Sequence, residues 1–210
     1  METGKLTEEL RTERVFTIPN MITSLRIFVL PFFIYYAIRY VKFPSDRTNV
    51  YGLVSTIFIA IVSDFLDGKV ARFLKQESII GKYLDPVCDK IVSISGLIVL
   101  VLYYEMPLWI LIIYFVREIL GVWLGTFLFF KRGIQGSPNI WGKLGVALTA
   151  ITVLWYVFMP GISLYMKEDN IIKHPEYAAY TMILVLFLGA FQYSYTYWNI
   201  VFHPEKEKKK

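Results

Sequence analysis

The chain has 210 residues, of which 56% are apolar and 17% aromatic, and it carries a formal charge of +5. A water-soluble domain of this length would be less apolar, so the composition excludes an ordinary soluble enzyme and favours an integral membrane protein. We expect the basic residues at 203–210 to contact anionic lipid head groups, and we expect no nucleic-acid partner.

Six apolar stretches follow one another, each long enough as a helix to cross a bilayer. They cover residues of about 19–41, 50–73, 83–104, 107–130, 142–166 and 177–202. We therefore predict an all-α integral membrane fold, a six-transmembrane-helix bundle in which residues 19–202 form one domain. Ahead of it, residues 1–18 are predicted to be an N-terminal segment with a short juxtamembrane helix at 5–15, and residues 203–210 a basic tail. The first sixteen residues lack the apolar core of a cleavable signal peptide.

The basic residues of the connecting segments predict the orientation, because cytoplasmic loops collect Lys and Arg. One side has five: Arg39, Lys42, Arg47, Lys167 and Lys173. The other side has thirteen: Lys5, Arg11, Arg14, Arg72, Lys75, Lys82, Lys131, Arg132, Lys143, Lys206, Lys208, Lys209 and Lys210. Both termini are therefore expected to be cytoplasmic. In the absence of a targeting segment, a bacterial plasma membrane is the expected location.

Four carboxylates lie within or at the end of two neighbouring predicted spans: Asp64, Asp67, Asp85 and Asp89. Charged groups at membrane depth usually face the interior of a bundle and mark function. At about 100° per residue, the first two share one side of their helix, and Gly81 and the last two rise along one face of the next. The spacing predicts that all four carboxylates face each other.

Carboxylates brought together in a medium of low dielectric repel one another unless cations neutralise them. Hard oxygen ligands of this kind suit Mg²⁺ or Mn²⁺, whereas His174 and His203 lie too far out to form a zinc site. Two alternatives are structural ion pairs with Lys69 or Arg72, and a cation pathway such as that of an ion-coupled transporter. Cys88 is expected to be a small packing residue.

The acids belong to a longer pattern, Asp64-x2-Asp67-Gly68-x2-Ala71-Arg72-x8-Gly81-x3-Asp85-x3-Asp89. This pattern resembles the signature of the CDP-alcohol phosphotransferase family at every defined position and spacing. The resemblance implies transfer of a substituted phosphate from a CDP-linked donor to an alcohol, with release of CMP and two divalent cations bound by the aspartates. It also implies a homodimer.

Residue by residue, the resemblance implies that Asp64, Asp67 and Asp85 are the main metal ligands. Asp89 would complete the metal site and act as the general base on the acceptor hydroxyl. The remaining signature residues would receive the CDP donor: Gly68, Ala71 and Gly81 by leaving room, and Arg72 by holding phosphate.

The start of the first span, Ile18-Pro19-Asn20-x2-Thr23-x2-Arg26, resembles that of bacterial phosphatidylglycerophosphate synthases. Asn20 and Thr23 could reach the nucleotide; alternatively they are a helix cap and a threonine bonded back to its own helix. Arg117-Glu118 and Gly142-Lys143 also resemble this subgroup and the related cardiolipin synthases.

A phosphorylated acceptor needs basic residues beyond the metal site, and the cytoplasm-facing candidates are Arg117, Lys143, Lys131 and Arg132. Arg117 could instead pair with Glu118, and Lys131 and Arg132 could be ordinary loop charges. The subgroup usually has Gly-Lys-x-Lys, whereas this chain has Gly145 at the second lysine position. This departure leaves the acceptor open.

The leading hypothesis is an enzyme of phospholipid biosynthesis that transfers a phosphatidyl group from CDP-diacylglycerol to glycerol 3-phosphate. The same chemistry with inositol phosphate, phosphatidylglycerol or another polyol is the first alternative, and an ion-coupled transporter is the alternative from another class. An inactive scaffold is disfavoured, because every acid of the signature is present.

Overall fold

The computed structural model describes residues 17–74, 79–132, 140–165 and 171–202. All regular structure in these residues is helical, as predicted: six long helices and one short 3-10 turn at Ile171–Lys173. The helices are α1 Ile18–Lys42, α2 Arg47–Leu74, α3 Ile79–Tyr103, α4 Leu108–Arg132, α5 Ile140–Ser163 and α6 Glu176–Phe202. The predicted juxtamembrane helix at 5–15 and the tail at 203–210 lie outside the described residues.

The helix ends differ from the predicted spans where a polar residue caps a helix. α1 begins after Thr17, whose hydroxyl accepts the backbone N–H of Asn20 at 3.4 Å. α2 begins three residues before the predicted span, because the Asp46 carboxylate accepts the backbone N–H of Thr48 at 2.9 Å. Side-chain oxygens of this kind satisfy N–H groups that have no partner within the helix. Hydropathy alone misses such polar first turns.

Among the described residues, four helical segments are long and apolar enough to cross a membrane: Ile18–Lys42, Arg47–Leu74, Leu84–Tyr103 and Ile140–Ser163. A shorter apolar segment is found at Glu176–Gln192. Large apolar side chains such as Phe28, Phe58 and Phe191 are exposed along the helices. A surface of this kind is unfavourable in water and suited to lipid. These features are consistent with an integral membrane protein, and the count of six spans stays a prediction.

The chain forms two compact units, Met1–Val99 and Leu100–Lys210, and the division falls near the end of α3. In the first unit α1 packs closely along α2. The ring of Tyr36 on α1 lies directly against Gly52 on α2, in the space that a Cβ atom would occupy. Ala37 and Leu53 are fully buried beside this contact. Small residues at such positions let two membrane helices approach closely.

The second unit is built around the packing of α5 on α6. At Gly145 on α5, an added Cβ would lie 2.6 Å from Leu186 Cδ2 on α6. At Gly189 on α6, an added Cβ would lie 3.3 Å from Trp141 Cβ. The indole N–H of Trp155 donates to the carbonyl oxygen of Ile172 at 2.8 Å, which fixes the connection between the two helices. Glycine thus allows close packing in both units.

The α1–α2 contact can be tested by Gly52→Val. The new side chain would overlap the Tyr36 ring, so we expect a loss of about 1–3 kcal/mol in the free energy of unfolding. The measurement is the thermal unfolding midpoint of the purified protein in detergent. The matched control is Gly121→Val, because a Cβ added at Gly121 would meet no atom of the described residues within 4 Å. Equal midpoints for the two variants would contradict close α1–α2 packing.

Candidate functional site

The four signature carboxylates meet on the facing sides of α2 and α3. Asp64 and Asp67 lie three residues apart on α2, and Asp85 and Asp89 lie four residues apart on α3. One carboxylate oxygen from each of Asp64, Asp67 and Asp85 lies within 4.8 Å of the other two. The convergence expected from the spacing is therefore present. We call these four residues the aspartate cluster.

The guanidinium of Arg26, from α1, lies among the four carboxylates. Its Nη1 is 2.9 Å from Asp64 Oδ1, and its Nη2 is 2.6 Å from Asp85 Oδ1. Nη2 also pairs with Asp67 and Nη1 with Asp89. The Arg26 side chain is only 4% exposed. Three helices thus contribute to one charged centre.

The sequence pattern of the first span includes Arg26 but predicts no role for it. A usable indication was present, because Arg26 is a charged residue inside the predicted span 19–41. A charge at that depth calls for a partner in the bundle. The same reasoning that identified the aspartates indicates that Arg26 needs a buried partner, but it does not say which residue that partner is.

Asp67 is the most tightly held member of the aspartate cluster. Its Oδ2 accepts from Arg26 and lies 3.1 Å from the hydroxyl of Thr23, one turn earlier on α1. The same hydroxyl lies 3.2 Å from the carbonyl oxygen of Pro19, so its single hydrogen serves one acceptor at a time. The Asp67 side chain is 9% exposed. Thr23 thus contacts both its own helix, as one alternative predicted, and the aspartate cluster.

The other three carboxylates form an accessible rim. The side chains of Asp64, Asp85 and Asp89 are 60%, 47% and 45% exposed. Gly68 follows Asp67 directly, and a Cβ there would meet no atom of the described residues within 4 Å. The aspartate cluster therefore has a buried floor, made of Arg26 and Asp67, and an open side.

The charge of the aspartate cluster fits a divalent cation. One guanidinium faces four carboxylates, so Arg26 alone leaves most of the negative charge uncompensated. Two like charges 4 Å apart repel by about 4 kcal/mol at an effective dielectric constant of 20. The donors are all carboxylate oxygens, which suit Mg²⁺ or Mn²⁺. Asp64, Asp67 and Asp85 are the residues placed to hold such an ion.

One alternative predicted ion pairs between the aspartates and Lys69 or Arg72 on α2. The structure gives these two residues other contacts. Lys69 Nζ lies 3.8 Å from the centre of the Phe65 ring, and Arg72 Nε donates to the carbonyl oxygen of Gly68 at 3.1 Å. Asp64 and Asp67 pair with Arg26 instead. Arg72 is exposed on α2.

The remaining predicted donor-binding residues lie on the same three helices. Asn20 is buried in the first turns of α1, and the helix cap is Thr17, so the alternative that made Asn20 the cap was wrong. Gly81 lies on α3, four residues before Asp85. Ala71 lies on α2, and its side chain is outside the described part of the structure.

The predicted acceptor residues belong to the second unit. Arg117 on α4 pairs with the carboxylate of Glu118, which is the alternative that the sequence left open. Lys143 is exposed in the first turn of α5. Lys131 and Arg132 end α4, and their side chains lie outside the described residues. At Gly145, where the Gly-Lys-x-Lys pattern expected from the resemblance would have its second lysine, Leu186 of α6 fills the space beside the backbone.

Comparison with known proteins gives several similar bacterial chains. A CDP-diacylglycerol–glycerol-3-phosphate 3-phosphatidyltransferase from Wigglesworthia glossinidia brevipalpis is 31% identical over 193 residues, 88% of this chain and 97% of that protein. The enzyme of the same name from Aquifex aeolicus is 30% identical, over 65% of this chain and 73% of its own. A cardiolipin synthase (CMP-forming) from Streptomyces coelicolor is 34% identical over 51% of this chain.

The extent of these matches varies. The chain spans 58% of the length of a Mycobacterium tuberculosis relative and 49% of the Streptomyces protein. The family model described as CDP-alcohol phosphatidyltransferase matches residues 16–203, which include the aspartate cluster, Thr23 and Arg26. The chain therefore belongs to the CDP-alcohol phosphatidyltransferase family.

Proposed function

We propose that the protein transfers the phosphatidyl group of CDP-diacylglycerol to a hydroxyl of glycerol 3-phosphate and releases CMP. The observation that carries this proposal is the convergence of Asp64, Asp67 and Asp85, each with a carboxylate oxygen within 4.8 Å of the others. Relatives named CDP-diacylglycerol–glycerol-3-phosphate 3-phosphatidyltransferase support the same donor and acceptor. The reaction belongs to phospholipid biosynthesis.

The reaction exchanges one phosphorus–oxygen bond for another. The acceptor hydroxyl oxygen bonds to the β-phosphorus of the donor, and the bond from that phosphorus to the bridging oxygen breaks, so that CMP leaves. The hydroxyl proton passes to the carboxylate of Asp89, which lies on the accessible rim. Two divalent cations, held by Asp64, Asp67, Asp85 and Asp89, would neutralise charge on the diphosphate when bound.

The open side of Gly68 supports a donor site next to the aspartate cluster. Nothing in the described residues packs against this glycine, so helix packing does not explain the missing side chain. Close approach of a ligand to the backbone is one use of a glycine at an open position. We assign Gly68, Ala71 and Gly81 to the space for CDP, and Arg72 to its phosphate. Asn20 and Thr23 would contact the nucleotide from α1.

The acceptor phosphate requires cationic contacts, for which we propose Lys143 and Arg117, with Lys131 and Arg132 nearby in sequence. Phosphatidylglycerol is a second candidate acceptor, because the Streptomyces relative is named a cardiolipin synthase and because this chain has Gly145 at the second lysine position of the expected Gly-Lys-x-Lys pattern. Inositol phosphate would use the same chemistry. Family membership and the clustering of the acids disfavour the transporter alternative.

We also propose that the chain crosses a bacterial plasma membrane six times. Both termini and the aspartate cluster would lie on the cytoplasmic side. The excess of Lys and Arg on that side supports this orientation. A donor anchored in the bilayer and a water-soluble acceptor would then meet at one depth. We also propose that the protein acts as a homodimer, as the resemblance implies.

The acceptor can be identified by measuring CMP release from CDP-diacylglycerol in detergent with Mg²⁺. The panel contains glycerol 3-phosphate, phosphatidylglycerol, inositol phosphate and glycerol. We expect the highest kcat/KM with glycerol 3-phosphate. A preference for phosphatidylglycerol would establish the second candidate, and no CMP release with any acceptor would contradict the proposed function.

The roles of two aspartates can be separated by neutral variants. We expect Asp89→Asn to lower kcat by about 10²–10⁴-fold with donor binding largely intact, because it removes the proton acceptor. We expect Asp67→Asn to raise the Mg²⁺ concentration required for half-maximal activity by about 10–100-fold, because it weakens a metal ligand. The matched control is Asp46→Asn, since asparagine also caps a helix. A near-normal kcat in Asp89→Asn would show that Asp89 is not the general base.

The acceptor site can be tested by Lys143→Met. Loss of a charged hydrogen bond to phosphate should raise KM for glycerol 3-phosphate by about 10–100-fold and leave KM for the donor unchanged. The control is Lys42→Met, because Lys42 is the last residue of α1 and has no proposed part in binding the acceptor. If Lys143→Met changes neither KM, the phosphate of the acceptor is bound elsewhere.

A further inference from the structure

We propose that Arg26 is a built-in counter-ion of the aspartate cluster, which competes with divalent cations for the same carboxylates and thereby sets the cation concentration that the site requires. Arg26 is then a positioning residue. The inference goes beyond the proposed function and rests on it only for the biological purpose of the cation.

The first support is that the two kinds of cation share their ligands. The candidate cation ligands are Asp64, Asp67 and Asp85, and Arg26 forms an ion pair with each of them. It also pairs with Asp89, the proposed base. The guanidinium therefore lies at the point where the carboxylates converge.

The second support is electrostatic. A guanidinium and a divalent cation at the centre of one cluster would repel each other, and this repulsion is weakly screened because Arg26 is 4% exposed. A divalent cation attracts each carboxylate more strongly than a single positive charge does. Entry of the cation therefore favours withdrawal of Arg26 from the centre.

The third support is the way in which Arg26 is held. Its two terminal nitrogens carry the ion pairs, while the buried Nε has no hydrogen-bond partner among the described residues. A buried N–H without a partner is unfavourable. The position of Arg26 thus depends on the aspartates themselves, the groups that a cation would take over.

Direct binding of Mn²⁺, followed by the EPR signal of free Mn²⁺ without substrate, tests the inference. The variant is Arg26→Met, which removes the charge and keeps an unbranched apolar stem. We expect its Mn²⁺ affinity to rise by about tenfold or more, because a competing positive charge has been removed. We also expect the unfolding midpoint to fall in EDTA and to recover when Mn²⁺ is added.

The control is Arg39→Met, on the same helix, where the guanidinium lies over the rings of Tyr35 and Phe43. This variant should bind Mn²⁺ like the unaltered protein. A purely structural role for Arg26 predicts a midpoint lowered equally with and without Mn²⁺, and an affinity that is unchanged or weaker. An unchanged or weaker Mn²⁺ affinity in Arg26→Met would overturn the proposal.

A second measurement uses the unaltered protein and so does not depend on the folding of a variant. Arginine modification by phenylglyoxal is followed by mass spectrometry as Mn²⁺ is added. We expect Arg26 to react several-fold faster with Mn²⁺ and Arg39 to react at a constant rate. Unchanged or slower modification of Arg26 would contradict its withdrawal.

These measurements are independent of catalysis. If Mn²⁺ binding and Arg26 modification respond as expected but no acceptor gives CMP, the proposed function fails and the inference about Arg26 stands. If CMP is released but Mn²⁺ binds equally to Arg26→Met and the unaltered protein, the inference fails and the function stands.

Discussion

The ion pairs between Arg26 and the aspartate cluster are the interaction on which the first unit depends. Four ionised carboxylates from two helices can share a small volume only if positive charge lies among them, and Arg26 brings that charge from a third helix. Removing one partner of a buried ion pair typically costs about 3–5 kcal/mol. The close approach of α1 and α2, with Gly52 against Tyr36, brings Arg26 within reach. Packing and charge therefore support each other.

The two units have different parts in the proposed reaction. The signature residues and the α1 residues beside them, Thr23 and Arg26, all lie in Met1–Val99. The candidate contacts to the acceptor phosphate lie in Leu100–Lys210. Under the proposed function, the metal ligands, the base and the donor contacts belong to the first unit, and the proposed acceptor contacts belong to the second.

Much of the fold and of the aspartate cluster was predictable, because both follow from local rules. Apolar length predicted the helices, and the spacing of Asp64, Asp67, Asp85 and Asp89 predicted their convergence. The role of Arg26 and the packing at Gly145 could not be obtained in the same way. Each depends on contacts between residues far apart in the chain, 41 residues apart for Arg26 and Asp67, and spacing along one helix carries no such information.

The central claim, that the aspartate cluster is the cation site of a CDP-dependent transferase, is tested most directly by anomalous diffraction from crystals grown with MnCl₂ and CDP-diacylglycerol. The account expects a manganese peak about 2.1 Å from carboxylate oxygens of Asp64, Asp67 and Asp85. It also expects the donor diphosphate beside that peak and the guanidinium of Arg26 withdrawn from the centre. Donor density with no manganese at these carboxylates would contradict the account.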